Sequence, residues 1–260
     1  MTTATLMPPR PPAPPATPPG AGGDLAAGAL LLLAVSATTC WLLGLPTSHL
    51  LLTAALYLPF ALLVRGALPP DRERPGIGPA NRVTLARATL VLPVVALVPE
   101  ALGGTLGELG QWWIVALSTT AMVLDGVDGR VARRTRTGSP FGARFDMEVD
   151  ALLLVALCGV LWGSGRVGAW VLLIGGLRYV FVLAGLPLPA LRGALPRSLR
   201  RKTVCVVQGV ALIVGVAPVI PPAAAAALLT VALLLLAYSF AVDVAWLLRV
   251  APSVPLGARG

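Results

Sequence analysis

The sequence predicts an all-α integral membrane protein of about eight transmembrane helices, a two-helix N-terminal unit followed by a six-helix core. Two observations carry this. Hydrophobic residues make up 57% of the 260-residue chain and charged residues 12%, and the mean hydropathy is +0.85, a composition suited to lipid rather than water. The apolar stretches are also continuous, whereas a closed β-barrel shows short segments of alternating hydrophobicity. The net charge of +9 would suggest nucleic acid in a soluble chain. Here the arginines lie between apolar segments, where membrane orientation and anionic head groups account for them, so no nucleic-acid partner is expected.

In chain order, residues 1–24 form a Pro-rich tail without an apolar core, which excludes a signal peptide and predicts disorder or polyproline structure. Residues 25–66 hold two apolar segments, 25–45 and 48–64. Residues 67–80, within "LPPDRERPGIGPANR", are polar and rich in Pro and Gly, and read as a linker. The core, 81–250, carries segments at 82–99, 110–133, 144–163, 167–186, 202–218 and 222–249, and residues 251–260 form a short polar tail. A helix of about 20 residues crosses about 30 Å of hydrocarbon. By that measure 48–64 and 202–218 are near the lower limit, and 222–249 is long enough to protrude.

The basic loop residues lie on one side with a single exception. The loops after the second, fourth and sixth segments carry Arg65, Arg72, Arg74, Arg82, Arg130, Arg133, Arg134, Arg136, Arg144, Arg192, Arg197, Arg200, Arg201 and Lys202; the opposite loops carry Arg166, beside Glu100 and Glu108. This asymmetry places both termini and the loop near residue 138 in the cytoplasm of a multi-pass cell-membrane protein. Cys40, Cys158 and Cys205 are far apart in sequence, odd in number and set in apolar segments, and read as packing residues. His49 falls in a short loop and, as the single histidine, has no partner set for a metal.

The stretch Leu124–Leu154 departs from this pattern, holding five of the eleven acidic residues and five arginines. An acid at membrane depth costs roughly 2.5–3.5 kcal/mol on insertion scales, so a function is expected of them. Asp125 and Asp128 are three apart and share a helical face that Gly129 and Ala132 continue, with Arg133 at the helix end. Small residues there leave room for a ligand. Gly138, Ser139 and Pro140 turn the chain, and Gly142, Asp146 and Asp150, spaced by four, form a second face that excludes Glu148. Two antiparallel helices would bring the four aspartates together. Their mutual repulsion calls for hard divalent cations, Mg²⁺ or Mn²⁺, and four carboxylates suffice for two ions clamping a phosphoryl group. The competing reading is a set of Asp–Arg salt bridges, which four Asp on two facing stripes lined by Gly and Ala make the weaker account.

The run Asp125-x-x-Asp128-Gly129-x-x-Ala132-Arg133, eight residues, Gly142-x-x-x-Asp146-x-x-x-Asp150 resembles the full signature of the CDP-alcohol phosphotransferase (CDP-alcohol phosphatidyltransferase) family. "NRVTLAR", 81–87, is similar to the Asn-x-x-Thr-x-x-Arg segment that often opens the first core helix of that family. The resemblance spans about 79–249 and leaves the first two segments outside the family pattern. It implies an enzyme of phospholipid biosynthesis that displaces CMP from a CDP-linked lipid such as CDP-diacylglycerol with the hydroxyl of a small alcohol. It also implies metal ligation by Asp125, Asp128, Asp146 and Asp150, with Asp150 also the general base. Gly129, Ala132, Arg133, Gly142, Asn81 and Thr84 would surround the CDP. A homodimer embedded in membrane lipid is the assembly it suggests.

For the acceptor, Arg144, Arg178, Arg200, Arg201 and Lys202 are candidates, because arginine forks bind phosphate oxygens bidentately. They favour a phosphorylated alcohol. Against glycerol 3-phosphate stands Arg178-Tyr179, where phosphatidylglycerophosphate synthases often have Arg-Glu. Serine, inositol or phosphatidylglycerol are the alternatives. Outside this class, an ion or proton transporter would show repeated halves and acids near the midplane, and a catalytically inactive scaffold would have lost one of the four aspartates. Neither pattern is present.

Overall fold

A computed structural model describes residues 20–67, 76–135, 139–193, 195–196 and 198–250, without the side chains at 67, 128–135, 189, 192 and 250. Most of the expected N-terminal tail and linker, and all of the expected C-terminal tail, lie outside the described residues. Among the described residues every regular element is helical, and each of the eight apolar segments is a helix.

The first helix, α1 (Ala21–Leu43), starts four residues before the apolar segment, and Asp24 lies in its first turn, where a carboxylate suits the positive end of the helix dipole. It ends at Gly44 in the left-handed conformation, whose N–H reaches the Cys40 carbonyl. A short turn leads to α2 (Thr47–Ala67). Here His49 is within the first turn and buried rather than in a loop. Next, α3 (Pro79–Ala96) opens on a proline at the position where a missing N–H does no harm, and continues through Leu97 into the five-residue α4 (Val98–Leu102). The two acid-bearing helices follow, α5 (Glu108–Thr135) and α6 (Pro140–Gly163). Ser139 caps α6 by accepting the Gly142 N–H at 2.9 Å, and Pro140 occupies the first helical turn. A 3₁₀ turn, Ala169–Val171, leads into α7 (Leu172–Ala184), and a second, Pro189–Arg192, precedes α8 (Leu199–Val216) and α9 (Pro222–Val250).

Among the described residues four spans are long and apolar enough to cross a membrane by length and composition: Ala21–Leu43, Thr47–Gly66, Pro79–Leu102 and Pro222–Arg249. The 167–186 segment yields a shorter apolar helix, Ala169–Ala184, while α5, α6 and α8 carry acidic, basic or other polar residues along their length. Helix α3 is central. Of its apolar span 61% is buried, against 28% for α1 and 22% for α2, so α1 and α2 form an outer layer. Leu85, Ala88, Val91, Leu92, Val94 and Leu97 place the core around α3, which packs against α1, α5 and α6. The outward faces of α1 and α2 carry Leu30, Trp41, Leu51, Leu58 and Leu63, a surface suited to lipid. Of the three free thiols, Cys158 is buried as expected of a packing residue, Cys40 is half-buried, and Cys205 is exposed.

Candidate active site

The sequence places an acid pair on α5 and another on α6, and the fold brings three of these four side chains into one cluster. Asp125, Asp146 and Asp150 each offer a carboxylate oxygen, and these oxygens lie within 4.8 Å of one another. Asp146 and Asp150, four residues apart, share a face of α6. Each of the three is about one-third exposed, at 39%, 36% and 32% of its side-chain surface. Such a cluster combines close packing with an open side. Asp128, Gly129, Ala132 and Arg133 lie on the last turns of α5, and their side chains fall outside the described residues.

What holds three carboxylates together is a residue not among the sequence candidates. Arg87, on α3, is 1% exposed and projects its guanidinium into the acids. Nη1 lies 3.0 Å from Asp125 and also pairs with Asp146, and Nη2 pairs with Asp150. Nε donates to the Ala121 carbonyl at 3.1 Å, which fixes the fork against α5. Only a planar, multidentate cation can serve two helices in this way. A signal was legible. Asn81, Thr84 and Arg87 recur every three residues along one side of α3, and a buried arginine demands acidic partners.

The two other polar residues of this line sit at the open end. Thr84 is buried and donates to the Ala80 carbonyl at 3.3 Å. Asn81 donates to the Ile77 carbonyl at 2.6 Å and faces α6. A Cβ on Gly142 would lie 2.5 Å from the Asn81 Oδ1 and 3.2 Å from the Ser139 Oγ, so a side chain there displaces the Asn81 amide.

The candidate acceptor residues are dispersed. Arg144 is exposed on α6. Arg178, on α7, pairs with Glu148 at 2.5 Å and donates to the Met147 carbonyl at 3.2 Å. Arg200 and Arg201 converge on Asp243 of α9 at 2.5 and 3.3 Å, and Arg200 also reaches Ser239. Lys202 is exposed one residue further on. Asp243, an acid within an apolar segment, thus has its arginine partners inside the bundle.

The donor set suits a hard cation. It is all oxygen and anionic, and in this structure its charge is met by the guanidinium of Arg87.

Comparison with known proteins bears on the same region. Residues 79–243 match the family model for CDP-alcohol phosphatidyltransferase, an interval that runs from the first turn of α3 to Asp243. A protein named as a cardiolipin synthase in Mycobacterium tuberculosis is 34% identical over 118 residues, 45% of this chain and 56% of that protein. The CDP-diacylglycerol–serine O-phosphatidyltransferase of Helicobacter pylori is 35% identical over 101 residues, 30% of this chain and 40% of that protein. The chain thus spans about half the length of the curated relatives it matches. No solved structure matches it.

Proposed function

The chain belongs to the CDP-alcohol phosphatidyltransferase family, and we propose that it transfers a phosphatidyl group from CDP-diacylglycerol to the hydroxyl of a small alcohol, releasing CMP, in phospholipid synthesis. The observation that carries this reading is the convergence of Asp125, Asp146 and Asp150 inside the matched region. Acids in membrane helices are costly and mark functional sites, and three convergent carboxylates could hold divalent ions that bind a pyrophosphate.

In this reading Asp125, Asp128, Asp146 and Asp150 hold two divalent ions, Mg²⁺ or Mn²⁺. Such ions, when bound, neutralise the pyrophosphate and the charge that develops on it. The Asp150 carboxylate removes the proton from the acceptor hydroxyl. The new bond joins the acceptor oxygen to the lipid-side phosphorus. The phosphoanhydride bond breaks, and CMP leaves with the bridging oxygen. Arg87 holds Asp146 and Asp150 in their rotamers through its two terminal nitrogens. Asn81, Thr84 and Gly142, with Gly129, Ala132 and Arg133, form the cradle for the CDP group.

The arginine asymmetry supports a site facing the cytoplasm, which keeps the nucleotide in water while the acyl chains stay in lipid. A homodimer remains the assembly expected from the family. For the acceptor we favour a phosphorylated alcohol, bound by Arg144, Arg178, Arg200, Arg201 and Lys202. In the free protein Arg178 pairs with Glu148, and Arg200 and Arg201 pair with Asp243. A second reading is favoured by the relatives named above, one of which is a serine transferase: a non-phosphorylated acceptor, with these pairs left intact. The test is CMP release from CDP-diacylglycerol with glycerol 3-phosphate, inositol phosphate, serine, inositol or phosphatidylglycerol offered singly. A phosphorylated acceptor should give the fastest release. Preference for serine or phosphatidylglycerol replaces the acceptor assignment, and no release with any of them refutes the reaction.

A further inference from the structure

The α1–α2 hairpin lies wholly outside the region that matches the family, 79–243, yet it touches the site's two supporting helices at separate places. The first contact is polar. The Asp24 carboxylate, in the first turn of α1, accepts the Ile77 N–H at 2.8 Å on Oδ2 and the Arg82 Nε–H at 2.8 Å on Oδ1. Only 10% of its side chain is exposed. Gly76 is shaped for this contact, with φ at +70° and a Cβ position only 2.1 Å from Asp24 Oδ2. A side chain there would expel the carboxylate, and left-handed backbone already favours glycine. The Ile77 residue held by Asp24 is the one whose carbonyl accepts the Asn81 side chain. Asn81 in turn is the atom group seated on Gly142.

The second contact is aromatic. Tyr57 of α2 donates its hydroxyl to the Leu25 carbonyl of α1 at 2.6 Å, which locks the hairpin. From Tyr57 a ladder runs to Phe60 at 6.0 Å between ring centroids, to Phe145 at 5.6 Å and to Phe141 at 5.7 Å. Phe145 and Phe141 are on α6, each one residue before a site residue, Asp146 and Gly142. Such ring pairs contribute beyond their burial because their geometry is specific.

We propose that the α1–α2 hairpin is a clamp that sets the spacing of α3 against α6 at the CDP end of the site, with Asp24 the positioning residue for Asn81 and Phe60 the positioning residue for the first turns of α6. The clamp's effect on a CDP-linked lipid rests on the function proposed above; the clamp itself does not. Removing Asp24 frees Ile77 and with it Asn81, so binding of the CDP-lipid weakens while the carboxylates, held by Arg87, keep their chemistry.

The experiment uses the full chain in lipid nanodiscs as wild type, Asp24→Asn, Asp24→Ala and Phe60→Leu. Hydrogen exchange is read at 79–84 and 140–146, and steady-state constants are read for CDP-diacylglycerol and for the acceptor. For Asp24→Ala we expect about tenfold faster exchange at 79–84, the size of one hydrogen bond to a charged group, with residues in α9 unchanged. We expect about a tenfold rise in KM for CDP-diacylglycerol, with kcat and the acceptor KM within about twofold of wild type. Phe60→Leu should loosen 140–146 and leave 79–84 as it is. A purely structural defect would instead lower kcat through loss of folded protein and leave both KM values alone. Should Asp24→Ala not fold, the isosteric Asp24→Asn is read by the same measures. Exchange at 79–84 equal to wild type in a folded Asp24 variant overturns the clamp. A wild type that does not act on CDP-diacylglycerol, with exchange still accelerated in the variants, overturns the proposed reaction and leaves the clamp standing.

Discussion

Replacing Arg87 by methionine removes the one described cation at the centre of the acid cluster while keeping the side chain's apolar volume. The consequence follows from three carboxylate oxygens held within 4.8 Å of one another. At an effective dielectric of about 20, each pair of unit charges at that separation repels by about 3.5 kcal/mol, or roughly 10 kcal/mol for three pairs. Each carboxylate is about one-third exposed, so solvent screens much of this. Breaking a buried pair by removing one partner costs about 3–5 kcal/mol, and the low end applies here. A loss of about 3 kcal/mol lowers the melting temperature of a chain this size by roughly 6–12 °C. If the cluster also takes divalent ions, the variant should recover more stability from Mg²⁺ or Mn²⁺ than wild type does. The assay is thermal unfolding of purified protein in EDTA and then across a divalent-cation titration. Arg87→Lys should fall between the two, since an ammonium cannot reach Asp125, Asp146 and Asp150 together as a guanidinium does. Melting of Arg87→Met within about 2 °C of wild type in EDTA would refute the role given to Arg87 as the cluster's counter-ion.

Asp150→Asn should lose roughly 10²–10⁴ in turnover while still binding CDP-diacylglycerol, whereas Glu148→Gln, set by helical spacing on another face of α6, should be nearly normal; equal losses in the two would undo the assignment of faces. Gly142→Val should weaken nucleotide-lipid binding, because its Cβ meets Asn81 Oδ1 at 2.5 Å and displaces that side chain, and unchanged binding would show that Asn81 need not sit there. Cysteines placed singly at Ser139 and Thr105 of a cysteine-free variant should label from opposite sides of the membrane, and labelling from one side would contradict the helix orientation drawn from the arginines.

The extent to which all this was readable from sequence differs by residue. The acids of α5 and α6 were legible because their spacing is local: positions 146 and 150 share a face of a helix whatever the rest of the chain does. Arg87 was harder. It stands 34 residues before the Ala121 carbonyl it meets and 59 before Asp146, and no local rule connects them. The three-residue polar line from Asn81 was the available clue. Arg178 stands out in the sequence because an arginine in an apolar segment needs an explanation; its pairing with Glu148 is not legible there, since only the packing of α7 on α6 joins them. Asp24 was assigned to a tail, since its role depends on residues 53 and 58 positions away. Helix boundaries shifted for the ordinary reason that caps such as Ser139 and Pro79, rather than the ends of apolar runs, decide them.

The most direct test of the central claim, that the aspartate cluster is a divalent-ion site for phosphatidyl transfer, is CMP release from CDP-diacylglycerol by the purified chain before EDTA, in EDTA, and after restoring Mg²⁺ or Mn²⁺, with Asp146→Asn measured beside it. The account predicts release that stops on chelation, returns with the ion in wild type, and does not return in Asp146→Asn. Full release in excess EDTA, or an Asp146→Asn variant as active as wild type, would contradict it.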